Sequence, residues 1–257
     1  MEKILILQKL DLEMEKKINI KLTSKERIKE LLFPKEITPE LAYFCGVLAG
    51  DGSIGYREKK KEYCIKCVGN PTDEQEYYND LIASLIKKLF NLDINPKFHD
   101  KKTTYGVSIY SRSLVKYLTE FIGLPLGKKY DKLKIPEIFL SDKKLINNFI
   151  SGVADTDFHL AIKRGYYPVI KGVSKSKKFI EEIKHLLENQ GFKTCVYERK
   201  QFDERVNKEI ITYHIELSGY KQFLKWYQKI GFKHPKNQDK IRFLLEYAKI
   251  KYSGRRI

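Results

Sequence analysis

Two aspartates close near-duplicate apolar runs. Asp51 ends Phe44-Cys45-Gly46-Val47-Leu48-Ala49-Gly50-Asp51-Gly52, and Asp157 ends Ile150-Ser151-Gly152-Val153-Ala154-Asp155-Thr156-Asp157-Phe158. A carboxylate is a hard oxygen donor, and a pair of them can hold divalent ions that activate water and neutralise charge on a phosphate. Small residues four apart, Gly46 with Gly50 and Gly152 with Thr156, let two helix backbones approach closely, which brings both carboxylates to one end of the pair. One such run alone reads as an ordinary packed helix with a glycine stop.

The rest of the chain repeats in register with the two runs. Displaced by 106 positions, Gly46, Val47 and Asp51 fall on Gly152, Val153 and Asp157. Displaced by 108, the segment from Thr104 to Lys132 lies on Thr212 to Lys240, matching Thr104/Thr212, Tyr105/Tyr213, Gly123/Gly231, Lys128/Lys236 and Lys132/Lys240. Two similar halves are fused in one chain, residues 37–140 and 141–257, with residues 1–36 outside the repeat.

The paired runs, with the repeated strands and lysines around them, resemble the LAGLIDADG homing endonuclease family over about residues 38–250. The resemblance implies a site-specific DNA endonuclease that makes a double-strand break across the minor groove. It implies catalytic aspartates at Asp51 and Asp157, with Gly50 and Thr156 beside them in the metal set, and Mg²⁺ as cofactor, with Mn²⁺ substituting. It also implies basic residues near the scissile phosphates, at Lys128 and Lys236. An intron-encoded or free-standing member is expected. Two departures stand out. Ala49 fills the first acidic position of one motif where the other has Asp155. Phe158 replaces the closing glycine that Gly52 keeps, which should forfeit an easy left-handed turn at that helix end.

Composition bounds the alternatives. The chain has 257 residues and a formal net charge of +17, from 50 Lys and Arg against 33 Asp and Glu, so a polyanion is the expected partner. No apolar run approaches the roughly 20 residues that span a bilayer, and no membrane partner is expected. The first residues, Met1 to Lys9, offer too short an apolar stretch for secretion, so a cytoplasmic location is expected. Four cysteines give no disulfide framework; Cys64 and Cys67 have half the spacing of a zinc site, but on a strand they point to opposite faces. His99, His159, His185, His214 and His234 show no metal-ligand spacing, which favours water activated by a divalent ion over a histidine base.

These residues must be positioned by a fold with a legible pattern. A short helix opens at Ser24 and ends near Pro34. The first motif helix opens with Thr38 as N-cap and Pro39 at its first position, the second near Ser141-Asp142. Strands follow, with Ile54, Tyr56, Leu160 and Ile162 inward and Ser53, Gly55, Arg57, His159, Ala161 and Lys163 outward. Partner strands at 63–68 and 167–173, helices at Asp73–Leu92 and Lys177–Asn189, second hairpins with Tyr105, Val107, Ile109, Tyr213, Ile215 and Leu217 inward, and closing helices at Leu114–Ile122 and Gln222–Ile230 complete each half.

The predicted class is α+β: two pseudo-symmetric αββαββα halves, each a four-stranded antiparallel sheet with helices on one face, joined at the motif helices. The open faces present Ser53, Arg57, Ser108, Tyr110, His159, Lys163, Tyr197, Arg199, Gln201 and His214 to DNA. A strand of about nine residues spans roughly 30 Å, so a monomer covers a double-stranded site of about twenty base pairs. Unequal halves make that site asymmetric. The competing readings are an RNA-binding splicing maturase and a non-cleaving DNA-binding protein on the same fold.

Overall fold

The computed structural model describes residues 20–204 and 207–252; the secretion argument from Met1 to Lys9 falls outside them. At the centre two helices cross, α2 (Pro39–Gly50) and α5 (Lys143–Asp157). Thr38 Oγ1 accepts the Leu41 N–H at 3.2 Å, and Asp142 Oδ1 accepts the Lys144 N–H at 2.8 Å, so both helices open where the cap residues predict. Leu41 to Gly50 are all buried, as expected of a helix apolar on every side. A Cβ on Gly46 would lie 2.1 Å from the Phe149 carbonyl oxygen, and one on Gly152 would lie 2.1 Å from that of Tyr43. Only glycine permits this crossing.

Each motif helix feeds a four-stranded antiparallel sheet. The first holds β1 (Gly52–Arg57), β2 (Glu62–Gly69), β3 (Lys97–His99) and β4 (Thr104–Ile109) in the order β1-β2-β4-β3. The second holds β5 (Phe158–Lys163), β6 (Tyr167–Ser174), β7 (Cys195–Asp203) and β8 (Lys208–Ser218) in the order β5-β6-β8-β7. Helices α3 (Ala83–Phe90), α4 (Arg112–Lys116), α6 (Lys177–Glu188) and α7 (Tyr220–Lys229) pack their apolar stripes on these sheets, and α8 (Gln238–Tyr252) comes last in the second half. Among the described residues no helix is long and apolar enough to cross a membrane.

The α+β class and the αββαββα order hold, with local differences. The helix expected from Asp73 instead begins after a turn in which Asn70 Oδ1 accepts the Thr72 N–H at 2.8 Å, and it enters α3 through a π-helical stretch, Tyr77–Ile82. A second π-stretch, Tyr117–Phe121, extends α4. Tyr56 is 45% exposed, not inward, because β1 outruns the core there and its ring leans on Tyr63 at 4.9 Å. The strands are also unequal: β3 has 3 residues and β8 has 11, so a uniform nine-residue strand does not describe either half.

Phe158 does not disturb its helix end. It adopts φ −112°, ψ 161° as an ordinary strand residue, and Gly52 is not in the left-handed region either. Gly52 is required for space, since a Cβ there would sit 2.4 Å from Leu48 Cα. In the second half the space is made on the facing strand.

Helix α1 (Ser24–Ile28) shows what the N-terminal extension does. Its buried Glu26 closes a capping box with Thr23 and accepts hydrogen bonds from Ser111 Oγ at 2.6 Å and Ser113 N at 3.0 Å, at the start of α4. Burial pushes this carboxyl up, but the Ser111, Thr23 and Ser113 donors outweigh it and hold it at about 2. The described start of α1, at Thr23 and Glu26, is thereby pinned to the first half.

Candidate active site

Asp51 caps the end of α2, and Asp157 is the last residue of α5. Both side chains are half-buried, and a Cβ on Gly50 would lie 3.3 Å from Asp157 Oδ2, so the second carboxylate rests against the end of the first motif. Burial pushes Asp51 up to about 6, with Glu74 adding to the shift and Lys129, Lys236 and His234 opposing it. Burial and the facing Asp51 push Asp157 up to about 7, against Lys129 and Lys236. Two like charges held together in a poorly solvated site form a place that favours added positive charge.

The donor set fits a hard divalent ion that keeps most of its waters. It offers two carboxylates, and among the described residues no three His, Cys, Asp or Glu side chains converge on a metal position. A cationic group already sits beside them. Lys129 Nζ donates to the carbonyls of Ala49 at 2.9 Å, Gly52 at 2.8 Å and Gly50, at the negative end of α2. The Gly50 carbonyl is therefore engaged by an ammonium, and Thr156 turns its hydroxyl back to Val153 O at 2.9 Å.

The sequence repeat aligns Lys128 with Lys236, yet it is Lys129 that reaches the aspartates. The Gly127 N–H donates to Ile54 O at 2.7 Å and pins the loop to β1, which leaves Lys128 exposed on the rim and turns Lys129 inward. Burial lowers the Lys129 pKa, with Asp157, Cys67 and Asp51 opposing. Lys236 does reach the site, with Nζ 3.1 Å from Glu74 Oε1.

Glu74, Tyr77 and Tyr43 went unread in the sequence, where His234 was weighed only as a metal ligand or base. The Asn70 N–H fixes Glu74 at 2.9 Å, and His234 Nε2 lies 3.4 Å from it, at ion-pair distance but outside hydrogen-bond geometry. Burial pushes Glu74 up, but the facing His234 and Lys236 outweigh it and hold the carboxyl at about 2. His234 stacks on Tyr77 at 4.2 Å; Tyr77 meets Tyr43 across 3.0 Å between hydroxyls, and Tyr43 donates to Asp155 at 2.7 Å. Asp155, fully buried, also accepts the Lys233 N–H at 3.0 Å. It ties the two halves together and does not line the cleft.

Residues 144–231 match the family model of the LAGLIDADG-like domain, which takes in most of α5 with Asp157 and both hairpins of the second half. Residues 144–231 are thus a LAGLIDADG-like domain. Its fold is similar to that of I-DmoI in complex with DNA and Ca, at 17% identity and TM-score 0.56 over 80% of this chain and 97% of that one. I-DmoI in complex with DNA and Mn gives 18% and 0.54, over 76% of this chain and 98% of that one. A probable translation initiation factor IF-2 of Methanocaldococcus jannaschii is 28% identical over 210 residues, 80% of this chain and 16% of that protein. The tRNA-splicing ligase RtcB of the same organism is 24% identical over 233 residues, 80% of this chain and 23% of that protein. The chain thus spans less than a quarter of either relative. Those two names share no activity, so neither describes the common segment.

Around the aspartates lies an open cleft of about 820 Å³, lined by Ser53, Arg57, Lys128, Lys129 and Gln201 among others. Ser53 is exposed there. Arg57 Nη1 bonds Tyr110 OH at 3.2 Å and lies 3.4 Å from Glu62, so it is already partnered. Ser108 is not presented: its hydroxyl oxygen is enclosed and has no hydrogen-bond partner. On the second sheet His159 is exposed, with burial of its ring, then Lys171, Lys240 and Lys236, holding its pKa below the usual imidazole value. Lys163 and Lys171 flank Glu216 at 3.5 and 3.0 Å. Tyr197 stacks on His214 at 5.1 Å and 4°, beside an exposed Arg199.

Proposed function

We propose that this chain is a metal-dependent endonuclease that cuts both strands of a long, asymmetric DNA site of about twenty base pairs. The observation that carries this reading is the convergence of Asp51 and Asp157 at one end of the crossed helices, within a basic cleft shared by two sheets. The family and the fold support it, as do the DNA and divalent metals named for the I-DmoI structures.

In this reading Asp51 and Asp157 would hold Mg²⁺, or Mn²⁺ in its place, while the Gly50 carbonyl stays with Lys129 and the Thr156 hydroxyl with Val153. A bound divalent ion would supply Lewis acidity to the phosphate and acidity to water. Lys129 and Lys236, one at each side of the aspartate pair, offset charge developing on the two scissile phosphates. Lys128 meets the DNA backbone from the rim. Glu74 keeps Lys236 in place, and the open sheet faces hold the duplex in register.

The test is selection from a randomised duplex library by the wild-type chain, with Mg²⁺ and with EDTA, against a matched RNA pool. Linear DNA products that need the metal support the reading. Specific retention of DNA or RNA without cutting rejects it in favour of a binding or splicing protein.

A further inference from the structure

The second hairpins of the two halves start in one register and stop in different places. Val68 pairs with Gly106 where Val173 pairs with His214, and on the other side Lys97 meets Gly106 where Tyr197 meets His214. The first ladder ends at His99 opposite Thr104, and the chain turns through Asp100–Lys102. At the matching pair, Arg199 opposite Thr212, the second ladder continues through Lys200/Ile211, Gln201/Ile210, Phe202/Glu209 and Asp203/Lys208. Four more pairs at about 3.4 Å each add about 14 Å, the rise of about four base pairs.

The direction of that extension matters. β5 leaves the aspartate end of α5 at Phe158, β6 returns to it at Ser174, and β8 sets Tyr213 opposite Ser174. Residues of β8 before Tyr213, and their partners on β7, therefore extend beyond the aspartate end of the second sheet. Gln201 accordingly lines the same cleft as Ser53, Arg57 and Lys66 of the first sheet. Strand alternation puts Gln201 and Ile210 on the face of Tyr197 and His214; Phe202, 61% exposed, and Ile211, 40% exposed, point the other way. The first hairpin makes no matching reach, and its turn residue Asp100 instead binds Lys66 at 2.5 Å.

We propose that the β7–β8 extension carries Gln201 across the central plane, so that a residue of the second half reads base pairs on the first half's side of the cut. The carboxamide offers a donor and an acceptor together, the pattern that matches the N6 and N7 edge of adenine in the major groove. Recognition close to the centre is then one-sided. The proposal rests on the nuclease reading above.

The experiment profiles tolerance to each base substitution across the selected site for wild type, for Gln201→Ala, and for a variant in which residues 201–210 are replaced by an Asn-Gly turn that closes the ladder at Lys200 and Ile211. Both variants should lose discrimination about tenfold or more at positions within about four base pairs of the centre, on one side only. Equal relaxation on both sides, relaxation confined to the outer ends, or an unchanged profile in both variants overturns the proposal while leaving the nuclease reading intact. If wild type selects no DNA at all, both fall together.

Discussion

Lys236 and Glu74 form an ion pair of 3.1 Å that joins the two halves beside the aspartates, whereas Lys129 on the other side donates to backbone carbonyls of α2. The two cationic groups of the site are therefore held by different means. Displaced by the 105 positions that carry Val68 onto Val173, Glu74 falls on Phe179, so the second half has no equivalent carboxylate. Glu74→Gln should loosen Lys236 and slow one strand about tenfold, seen as nicked plasmid accumulating before linear product. Lys236→Met should slow that same strand, and Lys129→Met the other. Equal slowing of both strands by Glu74→Gln would contradict this positioning role.

Phe158 faces Gly172 in the β5–β6 ladder, where the first half sets Gly52 against Cys67. A Cβ on Gly172 would fall 2.2 to 2.4 Å from the Phe158 ring. Gly172→Ala should therefore destabilise the protein by about 1–3 kcal/mol, as overpacking of a filled core does. The urea midpoint measures it, and an unchanged midpoint would show that the ring can move aside.

Stability without metal should respond to pH through the aspartates. Their folded values, about 6 and about 7, lie above the ordinary 3.8, so ionising them costs stability that is absent below about pH 4 and complete above about pH 7. Glu26 and Glu74, held at about 2, add stability that is lost only as pH falls below about 4.5. His159 and His214, both held low, act against the aspartates below about pH 6.5, so the informative quantity is a difference between variants. Asp51→Asn/Asp157→Asn should raise the melting temperature in EDTA over wild type by several degrees at pH 8 and by much less at pH 4. An equal gain at both would remove the charge repulsion from the account.

Binding should weaken steeply with salt. If about six phosphates are neutralised, affinity should fall about a thousandfold between 50 and 200 mM salt. Filter binding to the selected site measures the slope, and a flat response would argue against a basic saddle along the duplex.

Much of this was legible in the sequence because it repeats. The glycines at the crossing, the caps at Thr38 and Asp142 and the strand alternation each leave a local pattern, and the structure places them as read apart from Tyr56, which is exposed. What escaped is what the halves do not share. Glu74 and His234 meet only through tertiary contact, 160 residues apart along the chain (234 less 74), and neither has a motif of its own. Lys129 was missed because equal spacing favoured Lys128, while a single backbone hydrogen bond from Gly127 decides which lysine turns inward. The glycine at position 52 was legible as a requirement but not for the right reason: it avoids Leu48 and makes no left-handed turn.

The most direct test of the central claim is cleavage of the selected duplex by wild type, Asp51→Asn and Asp157→Asn, with binding measured in parallel. Each substitution should abolish double-strand cutting in Mg²⁺ while leaving affinity within a few fold, because the aspartates hold metal and read no base. Cutting at the wild-type rate by either variant would contradict the assignment of Asp51 and Asp157 as the reactive pair.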